Sequence, residues 1–188
     1  MRLLKLFVPI LALVCLCSCA FSPQSAAENI QNTLSETEEI TLTADIKADL
    51  GQRVSEFKIA CRYDGDAELE IMKPEIIRGV TAKYDGEKYE LSYGGNAVTT
   101  GAVTRNGLSP AEAIPVLIKQ WKTGYITAAS FEKISGTDAV YFRTDITDSI
   151  FQGTWFEKGT ALPLHSEIYE DGNLVITCDF EDTEQKEE

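Results

Sequence analysis

Few side chains in this sequence have the types and spacing that chemistry requires. The one histidine, His165, sits in Leu164-His165-Ser166. Neighbours on a strand point to opposite faces, so Ser166 cannot serve as a nucleophile for His165. Asp64, Asp66 and Glu68 alternate around Gly65, which would suit a hard cation. The distal bidentate glutamate of a twelve-residue calcium loop is missing. The three read better as a solvated hairpin end, with Glu68 and Glu70 as outward strand carboxylates. Gly94-Gly95-Asn96 lacks the Lys and Ser/Thr of a phosphate loop, and neither GxSxG nor HExxH occurs. Cys61 and Cys178 have no CxxC spacing and no nearby histidine, which argues against metal or redox work. They fit small core residues or the two halves of a disulfide. The expectation is a non-enzymatic protein with no metal and no cofactor.

Cys19 is the exception. Arg2 and Lys5 open the chain, Leu6 to Leu16 is apolar apart from Pro9, and Leu16-Cys17-Ser18-Cys19 closes the segment. That order is a secretory signal peptide over residues 1–18. Its apolar core is about half of the ~20 residues a membrane-spanning helix needs. The ending resembles the lipobox of bacterial lipoproteins, with Leu16 three positions before the cysteine and Ser18 directly before it. The resemblance implies that the Cys19 thiol receives a diacylglyceryl group and that the chain is cut before it. Cys15 and Cys17 fit less well, because Val14 and Leu16 before them are bulky. The working domain is then extracytoplasmic and lipid-anchored to the cell membrane. Ala20 replaces the aspartate of an inner-membrane retention signal, so outer-membrane sorting is open in a two-membrane cell.

Loss of the leader removes Arg2 and Lys5. Residues 19–188 then hold 15 basic against 30 acidic side chains, a net charge of −15. Such a surface repels nucleic acid and anionic headgroups. The lipid, not a basic patch, must hold the protein to the membrane, at roughly 0.8 kcal/mol per buried methylene.

From Thr41 onward the hydrophobic period is two. Leu42, Ala44, Ile46, Ala48 and Leu50 alternate with polar residues, and Phe57, Ile59, Cys61 and Tyr63 alternate with Lys58, Ala60 and Arg62. Leu69 and Ile71, Tyr89 to Tyr93, and Leu174 to Phe180 repeat the pattern. Asp64-Gly65, Asp85-Gly86, Gly94-Gly95-Asn96 and Asp171-Gly172-Asn173 punctuate it with tight-turn residues. This predicts about ten strands in an antiparallel meander. Two segments are helical. Ser22-Pro23 starts a short helix that docks through Ile30 and Leu34. Ser109-Pro110-Ala111-Glu112 is a capping box before Ile114, Leu117, Ile118 and Trp121 on one stripe, with Gly124 as the stop and Pro115 as a complication. The expected layout is a tether at 19–25, one domain at 26–182 and a disordered acidic tail at 183–188.

The pattern resembles the Lol-type lipoprotein carrier superfamily. The pieces are the short first helix, the paired strands at 41–63, Met72-Lys73-Pro74 running to Gly79-Val80, and Ser109-Pro110 before the middle helix. Gly159-Thr160-Ala161-Leu162-Pro163 and the Val175-Ile176-Thr177 strand complete it. The resemblance implies a mainly β, half-closed antiparallel barrel with helices over its mouth. It also implies acyl chains, lipids or lipidated partners bound on the concave face. No individual functional residue carries over.

The residues leave two readings open. In the first, Ile114, Leu117 and Trp121 cover an apolar groove lined by Phe57, Ile59, Leu69, Ile71, Leu91 and Tyr93, which binds a lipid or another hydrophobic small molecule. In the second, the barrel is solidly packed. Its acidic surface or a sheet edge then recognises an envelope protein. Core packing is the plain alternative for each inward aromatic residue.

Overall fold

The computed structural model describes residues 22–186 apart from 50, 52–53, 87 and 101–108. The expected leader, Cys19 and residues 19–21 of the expected tether lie outside the described residues. So does Leu50, the last residue of the first predicted strand.

The chain opens as the caps dictate. The Ser22 hydroxyl accepts from the Ser25 amide, Pro23 fills the first helical turn, and α1 (Pro23–Glu36) follows. Ala27, Ile30 and Leu34 are its buried stripe. Helix α1 therefore begins inside the expected tether. Strands β1 (Glu39–Asp49), β2 (Val54–Tyr63), β3 (Ala67–Lys73), β4 (Thr81–Tyr84), β5 (Tyr89–Tyr93) and β6 (Asn96–Thr100) run as successive hairpins. A single 3-10 turn, Glu75–Ile77, lies between β3 and β4. Between Tyr93 and Asn96 the turn is Gly94-Gly95, with φ of 58° and 84°. Two consecutive positive φ angles are what a tight two-residue hairpin demands, and glycine adopts them without strain.

Helix α2 (Pro110–Thr123) then carries the chain to the opposite edge of the sheet. There β7 (Ile126–Ile134), β8 (Thr137–Asp145), β9 (Ile150–Glu157), β10 (Pro163–Glu170) and β11 (Asn173–Lys186) form a second run of hairpins. The two runs join where β11 pairs antiparallel with β1. The result is one antiparallel sheet of eleven strands, in the order β6-β5-β4-β3-β2-β1-β11-β10-β9-β8-β7. It is not closed, and this is a half-open barrel. Its concave side takes both helices: α1 packs on β7, β8 and α2, and α2 packs on β1 and β2.

The expected antiparallel meander is observed, as two runs of hairpins joined where β1 meets β11. One expectation needs correction. Residues 183–186, expected as disordered tail, are the end of β11. Lys186 sits opposite Glu39 in the register, and its ammonium pairs with the Glu39 carboxylate. That carboxylate also takes Arg62 at 2.7 Å. The tail is held in the sheet by its backbone pairing with β1 and by the Lys186–Glu39 ion pair.

Candidate functional site: the concave face

Helix α2 forms because its signals agree. The Ser109 hydroxyl accepts from the Glu112 amide at 3.2 Å, Pro110 occupies the first turn, and Gly124 caps the end. Pro115 lies inside the helix and is buried without ending it. Ile114, Leu117, Ile118 and Trp121 are each 0% exposed. Gln31 of α1 donates to the Gly124 carbonyl at 2.7 Å and ties the two helices together.

Trp121 is a hub of this seal. Its ring meets Phe156 and Phe180 edge-on, with centroids 5.5 and 5.3 Å away. Its indole N–H donates to Thr154 Oγ1 at 2.8 Å. The Thr154 hydroxyl donates to Gln152 Oε1 at 2.5 Å, which leaves Ser166 as the donor in the 2.7 Å Thr154–Ser166 contact. Gln152 Nε2 donates in turn to Thr144 Oγ1 at 2.9 Å. All four polar residues are fully buried. The sequence reading missed this ladder. Its signal was the shared parity of Gln152 and Thr154 with Phe156, which placed polar groups on the inward phase. Ser166 does face away from His165, as the strand argument required.

The other wing of the concave face is different. Register places Leu42, Cys61, Leu69, Ala82, Leu91 and Val98 side by side across β1 to β6. Exposure along this row is 3%, 4%, 3% and 6% at the first four, Leu91 is half-buried, and Val98 is 62% exposed. In the neighbouring row Ile59 is buried opposite a half-buried Ile71, and Tyr93 is 59% exposed. Phe57, opposite Ile46, is half-buried. The apolar face thus continues past the part the helices cover.

The nine predicted site residues therefore fall into two groups. Phe57, Ile59, Leu69, Ile71, Leu91 and Tyr93 share the wing of β2, β3 and β5. Ile114, Leu117 and Trp121 belong to the packed seal, and Trp121 lies against β9 and β11. Electrostatics on the wing is quiet. Burial pushes the Cys61 thiol up to about 12. It also raises the Tyr89 hydroxyl, with a further push from the Glu112 carboxylate. Cys61 and Cys178 are both free and buried. Among the described residues no cluster of three or more His, Cys, Asp or Glu side chains could hold a metal. No helix among them is long and apolar enough to cross a membrane.

A separate cavity of 510 Å³ lies between α1 and the β7–β8 hairpin, over Ile30, Phe131, Val140 and Ala161. Another, of 690 Å³, sits at the Asp145–Ile150 turn beside Asp171.

No family model matches the chain, and no curated protein matches its sequence. Solved structures do. A domain described as an outer membrane lipoprotein-sorting protein from Vibrio parahaemolyticus superposes with a TM-score of 0.51 at 12% identity, over 88% of this chain and 94% of that one. The two chains share a fold. An uncharacterized conserved protein from Thermus thermophilus matches with a TM-score of 0.53 at 9% identity, over 86% and 88% of the two chains. A DUF1329 family protein from Desulfovibrio piger matches at 0.50 and 10%, over 88% and 94%. At these identities the likeness is one of fold. The half-open antiparallel barrel expected from the sequence pattern is the one observed.

Proposed function

We propose that this chain is an extracytoplasmic lipoprotein, anchored to the membrane through a lipid on Cys19. Its half-barrel binds a hydrophobic ligand, a lipid or acyl chain, on the uncovered wing of the concave face. The observation that carries the reading is the single apolar row that runs from fully buried Leu42 to 62%-exposed Val98. A monomer gains nothing by leaving such a surface in water, at ~25 cal/mol per Å². An acyl chain laid along the row would complete the burial that α2 begins. The Lol-type fold shared with a lipoprotein-sorting domain supports the same use of this face.

Binding of a fluorescent long-chain fatty acid to the purified protein tests it. Val98→Asp, on an exposed edge strand, should weaken binding about ten-fold or more, since burying one valine contributes roughly 1.5–3 kcal/mol. Tyr125→Asp, at a residue 83% exposed and outside the wing, should leave binding unchanged. Equal affinity of the Val98→Asp protein and the wild type would refute the assignment. Anchoring is tested separately, by labelling cells with a fatty-acid analogue. Cys19→Ala should abolish the label, and a retained label would remove the anchor.

A second reading, recognition of an envelope protein through an acidic surface, is favoured by the opposite face of the sheet.

A further inference from the structure

The convex face of β7–β11 carries an unusual surface for an acidic protein. Phe142 and Phe156 point into the core at 0% exposure. Their neighbours Tyr141 and Trp155 therefore point outward, opposite each other in the register. Their ring centroids are 4.7 Å apart, and His165 continues the row 5.5 Å beyond Trp155. Two rows away Phe151 and Tyr169 stack at 4.7 Å and 9°. The Arg143 guanidinium lies 3.6 Å over the Phe151 ring. Gly153 sits between the two groups. A Cβ there would come within 2.5 Å of the Tyr141 ring, so the missing side chain is what lets Tyr141 lie flat on the strand.

Carboxylates frame the rings. Glu132 accepts the Trp155 indole N–H at 2.7 Å, Glu167 accepts the Tyr169 hydroxyl at 2.6 Å, and Asp179 lies 2.7 Å from His165 Nδ1. Asp145 pairs with Arg143 at 2.9 Å. Each carboxylate keeps lone-pair sites beyond these bonds. Both helices lie on the other side of the sheet, so no described element covers this one.

We infer that this convex face docks a basic, extended segment of a protein partner. Three features select that occupant. Trp, Tyr and Arg are the side chains that concentrate binding energy at protein interfaces. Four carboxylates face one guanidinium, so the charge is complementary to a cationic partner, and a neutral glycan would gain nothing from the excess. The Arg143–Phe151 stack shows the ring chemistry that an incoming arginine would repeat on the other aromatic faces. Size also fits a segment. Five strands at ~4.8 Å spacing give a platform roughly 20 Å wide, the length of about six extended residues. The site is independent of the ligand wing on the concave side.

The test uses a deca-arginine peptide and acrylamide quenching of the intact protein in a non-ionic detergent. Trp121 is fully buried, so the quenchable emission is that of Trp155. The peptide should protect it, and added salt should weaken the protection. Tyr169→Ala should raise the apparent Kd about ten-fold or more. The Glu167→Gln/Asp179→Asn protein, which keeps every ring, should do the same. Glu68→Gln/Glu70→Gln, on the far half of the sheet, should stay within about two-fold of wild type. Equal weakening by the two double substitutions would overturn the proposal in favour of diffuse charge attraction. Protection by an N-acetylglucosamine oligomer in place of the peptide would also overturn it. Fatty-acid binding should be unchanged in all these variants, which separates this result from a failure of the ligand reading.

Discussion

Thr154→Val is the sharpest single perturbation of the packed half. Valine keeps the shape of threonine, so no cavity opens, and only the hydroxyl is lost. That hydroxyl accepts from Trp121 Nε1 at 2.8 Å, contacts Ser166 at 2.7 Å and donates to Gln152 Oε1 at 2.5 Å. The substitution strands at least the indole N–H and the Gln152 carbonyl oxygen where both residues are fully buried. Each stranded group costs about 1–3 kcal/mol, so the loss should centre near 4 kcal/mol. For a domain of this size the melting temperature should fall by about 8–16 °C. Urea denaturation followed by circular dichroism measures it. A cycle with Trp121→Phe sharpens the attribution. Phenylalanine removes the N–H, so it should cost less in the Thr154→Val background than in wild type, by about 1–2 kcal/mol. A Thr154→Val protein within ~1 kcal/mol of wild type, or a cycle with no coupling, would refute the network account.

Three further outcomes follow from the same structure. Cys61 and Cys178 are buried and their thiols are raised by desolvation, so neither should react with a disulfide reagent at pH 8 until denaturant is added; prompt reaction in the native state would contradict their placement. The Glu39 carboxyl is held below its ordinary value of 4.5, first by the hydrogen bond from Lys186 and then by that from Arg62. Its contribution is therefore present above the unfolded pKa and lost as pH falls through the folded one. Thermal melts from pH 6 to pH 3 should show a smaller acid-induced drop in Glu39→Gln than in wild type, and identical profiles would count against the clamp. Gly153→Ala should force the Tyr141 ring off the strand, costing about 1–3 kcal/mol, and combining it with Tyr141→Ala should relieve most of that cost in denaturation curves.

The left half of the sheet was readable because its alternation is conventional. In β1 every even position from Ile40 to Ala48 is buried, as the apolar phase of residues 42–48 required. The helix ends were equally legible, since Ser109, Pro110 and Gly124 act locally. The right half was not, because its two faces trade roles. Gln152, Thr154 and Ser166 are inside, satisfied by one another and by Trp121. Phe151, Trp155 and Tyr169 are outside. Period-two reading assumes apolar inside and polar outside, so β9 and β10 gave it no clean signal. The site was half legible for a related reason. Parity placed Phe57, Ile59, Leu69, Ile71, Leu91 and Tyr93 on one face. It could not tell which part of that face α2 would cover, because that depends on where the chain crosses the sheet. The pairing of β1 with β11 is non-local, and no residue near either strand announces it.

That pairing also orders events in time. Lys186 and Glu39 are separated by 147 positions in sequence, yet they lie at the centre of the sheet, where the two runs of hairpins meet. Until the final strand has been synthesised, β1 lacks one partner and the two runs have no shared backbone bonds. Loop-closure entropy makes such distant contacts the slowest to form. A chain still on the ribosome is therefore unable to complete its fold before its last strand emerges. Completion of the sheet waits on the position of one strand.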